Sequence, residues 1–322
     1  MKTIAEYSAD VESALRSLTF PGGKLESLYK PIEYALSAGG KRIRPVLVLM
    51  GADAFGGKAQ EALRPAVGIE TFHNFTLLHD DVMDKSDVRR GRPTVHKKYD
   101  ANTAILSGDT MLTLATQYVT EVENSKLREV LDTFNRMAIS VYEGQQLDMD
   151  FEHAEKIALS DYLEMIEGKT GSLLGAAVKI GALIGGASEE DARLMYEYGV
   201  MTGLAFQIQD DWLDTFGDST TFGKPIGGDI LNGKKTYLYV AALEEGGQTA
   251  EALRAAFNMP PSDMKVKAVT RIYEKIGVGD KCKKVVGHYS SKALKALNAT
   301  SLPEDKKEAF RKLAEKLIGR KK

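Results

Sequence analysis

Along nearly the whole chain, apolar positions recur at the three- and four-residue spacing of an amphipathic helix, and the strict alternation of a half-buried strand is nearly absent. The pattern predicts an all-α fold. Residues 1–18 and 24–38 read as amphipathic helices separated by Pro21, Gly22 and Gly23. Gly39 and Gly40 end the second, and Pro45 suits the first turn of a third that runs to about Phe55, before Gly56 and Gly57. A long helix is predicted over 59–85 with Pro65 as a kink; Gly91 and Pro93 break it and leave Arg89 and Arg90 at its ragged C-terminal end. Further helices are predicted over 101–120, 125–151, 160–167, 170–186, 189–216, 234–245, 249–256, 262–275, 278–297 and 303–318. No linker divides the 322 residues, so they read as one domain, 1–322. The longest weakly polar run, Gly171 to Gly186, is interrupted by Lys179 and is too short and glycine-rich for a membrane span; it reads as a buried helix.

Composition narrows the class without naming a chemistry. With 43% hydrophobic and 27% charged residues the chain resembles an ordinary soluble globular protein. A net charge of −2 gives no argument for nucleic acid or an anionic membrane surface. Cys282 is the single cysteine, which excludes an intrachain disulfide; with no apolar secretory segment at the N-terminus, a reducing, cytoplasmic location is expected.

The chemistry enters with carboxylates. On a helix turning about 100° per residue, Asp80, Asp81 and Asp84 fall at about 0°, 100° and 40°, on one face at the polar end of the apolar segment Phe72–Leu78. Like charges at this spacing cost roughly 0.2–0.5 kcal/mol per pair, so a cation belongs there. Mg2+ arriving on a phosphate fits best, because it takes one or two protein carboxylates and completes its octahedron with water and phosphate oxygens. A lone Asp-Asp-x-x-Asp is more often an acidic helix end fraying into solvent. This one is repeated as Asp210, Asp211 and Asp214, preceded by Gln207 and again at the polar end of an apolar segment. If both triads face one cavity, they form a clamp for two or three Mg2+ ions around a polyphosphate.

Basic groups are spaced to match. Lys41, Arg42 and Arg44 follow Gly39-Gly40 in a loop entering a helix, and arginine forks bind phosphate oxygens bidentately. By itself such a cluster is a solvated loop; beside two acidic clamps it is a candidate for a second anionic group bound without metal. Arg89 and Arg90 either complement the helix dipole or carry positive charge to the phosphates. His73 lies two turns before Asp80 on the same face and is a candidate phosphate donor rather than a satisfied core histidine; His79 reads as structural. Gln145 and Asp148, Lys169 and Thr170, and Lys224 and Lys234 in a glycine-rich loop would complete a polar ring around a metal-bound diphosphate. Phe72, Phe75 and Leu78 are core by default. Phase and rise put Phe75 about 7.5 Å and Phe72 about 12 Å from Asp80 along the axis, where an apolar tail attached to the phosphates would run.

Together these residues resemble the trans-isoprenyl (polyprenyl) diphosphate synthase family, short-chain type. The resemblance runs in order through Gly40-Lys41-Arg42-x-Arg44-Pro45, His73, Asp80-Asp81-x-x-Asp84 with Arg89-Arg90-Gly91, Gly144-Gln145-x-x-Asp148, Lys169-Thr170, Gln207 with Asp210-Asp211-x-x-Asp214, Lys224 and Gly233-Lys234. It implies a single helical bundle of the isoprenoid synthase type I fold around a central cavity, usually homodimeric. It implies that an allylic diphosphate binds through Mg2+ to both triads and Asp148, with Arg89, Lys169, Lys224 and Lys234 stabilising the departing pyrophosphate. Isopentenyl diphosphate would be held by Lys41, Arg44, His73 and Arg90, and Gln145, Thr170 and Gln207 would complete the substrate site. Residues four and five before the first aspartate, here Thr76 and Phe75, would floor the tail pocket, with Phe72 a further candidate. One aromatic there, and no insertion within the first triad, resemble geranylgeranyl (C20) synthases first and farnesyl (C15) synthases second. A terpene cyclase or head-to-head condensing enzyme, a non-catalytic synthase subunit and a helical metal- or anion-binding protein are the rival readings. Terpene cyclases of this architecture lack the second strict triad and the Lys41–Arg44 cluster, non-catalytic subunits lose aspartates, and both features are intact here.

Overall fold

A computed structural model describes residues 1–217 and 226–319. Lys224 lies outside the described residues. The chain is helical almost throughout: α1 Ile4–Arg16, α2 Glu26–Leu36, α3 Ile43–Ala54, α4 Leu63–Met83, α5 Val95–Lys98, α6 Ala101–Val119, α7 Asn124–His153, α8 Leu159–Ile166, α9 Ser172–Gly185, α10 Glu189–Phe216, α11 Gly228–Leu231, α12 Tyr237–Leu243, α13 Gly247–Phe257, α14 Asp263–Ile276, α15 Val278–Ala299 and α16 Glu304–Ile318. Every predicted helix has a counterpart.

Three departures from the sequence pattern bear on function. Helix α4 begins at Leu63 rather than at residue 59, so Pro65 sits in the first turn, where its missing N–H has no intrahelical acceptor to lose. Proline is therefore a start signal here rather than a kink. At its other end α4 stops at Met83, with Asp84 as C-cap and Lys85 in the left-handed region at φ 51°. Arg89 and Arg90 consequently do not ride on α4. They belong to a two-stranded hairpin, Val88–Arg89 against Arg92–Pro93, whose register leaves Arg90 and Gly91 as the loop. Both have positive φ, 52° and 73°, as a two-residue primed turn requires. Finally, α8 and α9 are joined by a π-helical turn, Glu167–Gly171, which holds Lys169 and Thr170.

The chain forms two compact units, Met1–Arg136 with Ala176–Arg193, and Met137–Gly175 with Leu194–Lys322. In the first, α3 and α9 meet at backbone distance: a Cβ on Gly181 would lie 2.1 Å from the Val48 carbonyl oxygen, and one on Gly51 2.7 Å from that of Val178. Helices α4 and α6 approach similarly at Gly68, where a Cβ would lie 2.8 Å from the Val119 nitrogen. In the second unit the core gathers around Tyr162, Leu204, Ile208, Leu238, Val240 and Tyr273. There Gly203 and Gly199 of α10 lie against Gly171 and Gly175, and Gly144 of α7 lies against the backbone of Gly168 and Lys169. Close helix packing thus explains the glycine-rich run that hydropathy alone read as a buried helix. Among the described residues no helix is long and apolar enough to cross a membrane.

Candidate active site

In the first unit, the end of α4 and the hairpin build an acidic and a basic group side by side. Asp81 is buried, and both its oxygens accept the Arg89 Nε–H, at 2.8 and 2.9 Å. Burial raises the Asp81 pKa above the ordinary carboxylate value; Arg89 opposes the rise and Asp80 adds to it. The cation that three clustered carboxylates required is thus partly supplied from the hairpin. Asp80 is half-buried and Asp84 exposed. The hairpin is held on α2 by Tyr34, whose hydroxyl donates to the Pro93 carbonyl at 2.8 Å and whose ring lies 4.0 Å beneath the Arg92 guanidinium. A cleft bounded by Tyr34, Asn74, Asp81, Arg89, Arg90 and Arg92 opens there.

Arg90 leaves the hairpin in a different direction from Arg89. Its Nη1 donates to the Gly39 carbonyl, and a Cβ on Gly40 would lie 3.0 Å from that same nitrogen, so the Gly39-Gly40 step makes room for a guanidinium. Arg44 donates from Nη1 to His73 Nε2 at 3.2 Å. Arginine has no acceptor, so Nε2 is the acceptor and the ring proton sits on Nδ1. Burial, followed by the charges of Arg44 and Arg90, holds the His73 pKa well below 6.5, so the ring is neutral. Burial also lowers the Arg44 pKa to about 10, with Arg90 contributing; its Nε is buried without a partner. Lys41 is exposed at the entry to this group. Arg42 does not join it. In the left-handed region at φ 50°, it is buried and spends its guanidinium on Glu12 (2.6 Å), Glu70 (2.6 Å) and the Leu36 carbonyl (2.9 Å).

Below the acidic group, α4 presents its aromatic stripe. Phe75 is edge-to-face with His79 (4.8 Å) and Phe72 (5.6 Å), and Phe72 in turn with Phe134 of α7 (5.3 Å). Thr76 is half-buried and donates to the His73 carbonyl at 2.8 Å. The structural reading of His79 fits its place, packed on Gly108 with Nε2 3.1 Å from the Ile105 carbonyl.

The second unit builds its polar group from α7, the π turn and α10. Lys169 pairs with Asp148 at 2.6 Å, across the gap that Gly144 and Gly168 keep narrow. Thr170 donates to Gln207 Oε1 (3.2 Å), and Gln207 Nε2 donates to Asp211 Oδ1 (3.1 Å). Asp211 is buried; its Oδ2 also accepts the Tyr162 hydroxyl and the Tyr237 N–H, the latter at 2.9 Å. Burial, with Asp229 adding to it, pushes the Asp211 pKa up to about 7 against these three donors. Asp214 accepts the Asp229 N–H at 3.0 Å, at the start of α11. Asp210 is half-buried, and Lys234 is exposed. The Gln145 amide is buried with neither its nitrogen nor its oxygen hydrogen-bonded.

Among the described residues no three His, Cys, Asp or Glu side chains converge into a ready-made metal cage. What both triads offer is carboxylate oxygen, without thiol or imidazole, the donor chemistry of a hard ion that keeps water and phosphate in its shell. Sequence reasoning missed the donors that hold these carboxylates: Tyr162 lies 49 residues from Asp211 with no local pattern to mark it.

A family model described as polyprenyl synthetase matches residues 25–276. The chain belongs to the polyprenyl synthetase family. It is 44% identical over 245 residues, 76% of this chain and 75% of the other, to a geranylgeranyl diphosphate synthase of Methanosarcina mazei. It is 37% identical over 311 residues, 94% of each chain, to one from Sulfolobus acidocaldarius. The crystal structure of a geranylgeranyl pyrophosphate synthase superposes with a TM-score of 0.94 at 40% identity, covering 100% of both chains. A polyprenyl synthetase more distant in sequence, the geranylgeranyl pyrophosphate synthase of Corynebacterium glutamicum, at 26% identity and a TM-score of 0.85, was solved with isoprenyl diphosphate and magnesium; it covers 99% of this chain and 97% of that one. The all-α type I isoprenoid synthase fold expected for a polyprenyl synthetase is the fold observed.

Proposed function

We propose that this chain condenses isopentenyl diphosphate head-to-tail with allylic diphosphates (dimethylallyl, geranyl and farnesyl) to make geranylgeranyl diphosphate. The observation that carries this is that the first unit offers two unlike anion sites: carboxylates for a metal-bound diphosphate at Asp80, Asp81 and Asp84 on α4, and a basic group built from Arg44 of α3, His73 of α4 and Arg90 of the hairpin. A polyprenyl synthetase that joins two diphosphates needs both. The names of the relatives favour C20 over the farnesyl alternative.

In this reading Asp80, Asp81 and Asp84, Asp210, Asp211 and Asp214, and Asp148 would hold two or three Mg2+ ions, which would supply positive charge to offset that of the departing pyrophosphate. Asp211 and Asp214 also accept protein donors, which hold their carboxylates in place. Arg89, Lys169, Lys224 and Lys234 add positive charge where the leaving oxygen develops its negative charge. Gln145, with an orphaned amide, and Thr170 with Gln207 line the same substrate. Isopentenyl diphosphate sits on Lys41, Arg44, His73 and Arg90, and His73, neutral with its proton on Nδ1, serves as a donor rather than a cation. The allylic carbon–oxygen bond breaks, the isopentenyl double bond attacks that carbon, and the proton lost goes to the released pyrophosphate. No side-chain nucleophile takes part.

Phe75 is the first ring the growing tail meets, Thr76 sets the width beside it, and Phe72, enclosed by Phe75 and Phe134, is the layer beneath. We take the working form to be a cytoplasmic homodimer; Ile105 and Leu106, 45% and 59% exposed on α6, are apolar surface that a second copy would cover. Chromatography of the products formed from isopentenyl diphosphate with each allylic primer separately tests the reaction. A C20 product from all three is expected. Refusal of farnesyl diphosphate with C15 accumulating would overturn the product assignment.

A further inference from the structure

The carbonyls of a helix's last turn have no intrahelical donors. At the end of α7 three backbone carbonyls converge on one ammonium: Lys235 Nζ donates to Phe151 (2.7 Å), Glu152 (3.1 Å) and Ala154 (2.5 Å). An ammonium has three hydrogens, so all are spent, and a cation at this end of a helix lies in its favourable field. Lys235 is half-buried and its donors are committed to backbone, whereas its neighbour Lys234 is exposed. Two residues on, the Tyr237 N–H donates to Asp211 Oδ2 at 2.9 Å, beside the Tyr162 hydroxyl on the same oxygen. Within the segment, the Lys234 N–H donates to the Asp229 carbonyl at 2.9 Å and the Thr236 N–H to the Lys234 carbonyl at 3.0 Å. Lys234 therefore sits on a short stretch pinned at one side to the helix that carries Asp148 and at the other to the second acidic triad.

We propose that Lys235 is a positioning residue for the diphosphate chemistry: by capping α7 it fixes the backbone of residues 233–237 so that the Lys234 ammonium is presented to the diphosphate held at the second triad. The inference rests on the function proposed above. Lys235 touches no substrate in this scheme and acts through Lys234.

The test compares Lys235→Met, which keeps the stem and loses the donors, with Lys235→Arg, which keeps charge and donors. Calorimetry with inorganic pyrophosphate and Mg2+ is the first readout; KM for farnesyl diphosphate against KM for isopentenyl diphosphate is the second. Lys235→Met is expected to weaken pyrophosphate binding and raise the allylic KM by about ten- to a hundredfold, the scale of losing a residue that orients a ligand-binding group, with isopentenyl KM changed by less than about twofold. Lys235→Arg is expected to recover most of the loss. In a Lys234→Ala background, Lys235→Met should add little, because the two act as one unit. Unchanged pyrophosphate affinity, equal rises in both KM values, or additive losses with Lys234→Ala would each overturn the inference. If Lys235→Met does not fold, Lys235→Gln gives the same comparison with one donor group retained. Wild-type protein that binds no pyrophosphate with Mg2+ would instead overturn the function itself.

Discussion

At the scale of single residues, Arg42 and Arg44 show how two arginines one residue apart divide their work. Arg42 satisfies two acids and a carbonyl in a buried network, and Arg44 is left with an unpartnered Nε and a neutral histidine. Arg42→Met therefore strands the buried Glu70 carboxylate, and a loss of about 3–5 kcal/mol in urea unfolding is expected. An ordinary surface-charge effect, under about 1 kcal/mol, would contradict this. His73 gives a pH signature. Its folded pKa is depressed, so the unfolded chain takes up a proton near 6.5 where the folded one does not. The stability it confers is fully present above about 6.5 and is lost as pH falls below that value. His73→Gln should flatten that part of the unfolding profile, and nitrogen-15 spectra should keep His73 in the Nδ1–H form at pH 6; titration near 6.5 would refute the assignment.

At the scale of elements, the hairpin and the glycine contacts decide where charges go. Gly40→Val would drive a branched side chain into Arg90, and the expected result is a raised isopentenyl KM with the allylic KM little changed. Gly181→Ala meets the Val48 carbonyl, which has no side chain to turn aside, and should cost about 1–3 kcal/mol by thermal unfolding. The triads were legible in the sequence because three carboxylates and an apolar stripe on one helix are local facts of period and phase. The hairpin was not: a primed turn is announced by Asn-Gly or Asp-Gly, and here Arg90 takes the first positive-φ position. Nor were the ties at Tyr162 and Lys235 readable, since each joins residues 49 to 84 positions apart. Lys235 was visible only as one more cation in a basic loop.

At the scale of the whole molecule, a polyprenyl synthetase must limit its own product. Phe75→Ala opens the space above Phe72, and products longer than C20 are expected by chromatography; an unchanged length would transfer the floor to Phe72 and Phe134. Leu106→Lys should shift the sedimentation coefficient toward that of a monomer if α6 forms the contact between copies. The π turn at Glu167–Gly171 has a consequence of its own. Each residue advances a helix by about 100°, so the length of that turn sets the phase of everything after it. Shortening it by one residue would swing Gly171 and Gly175 off Gly203 and Gly199 and turn Lys169 and Thr170 from Asp148 and Gln207. The number of residues in this stretch therefore matters as much to those contacts as their identity does.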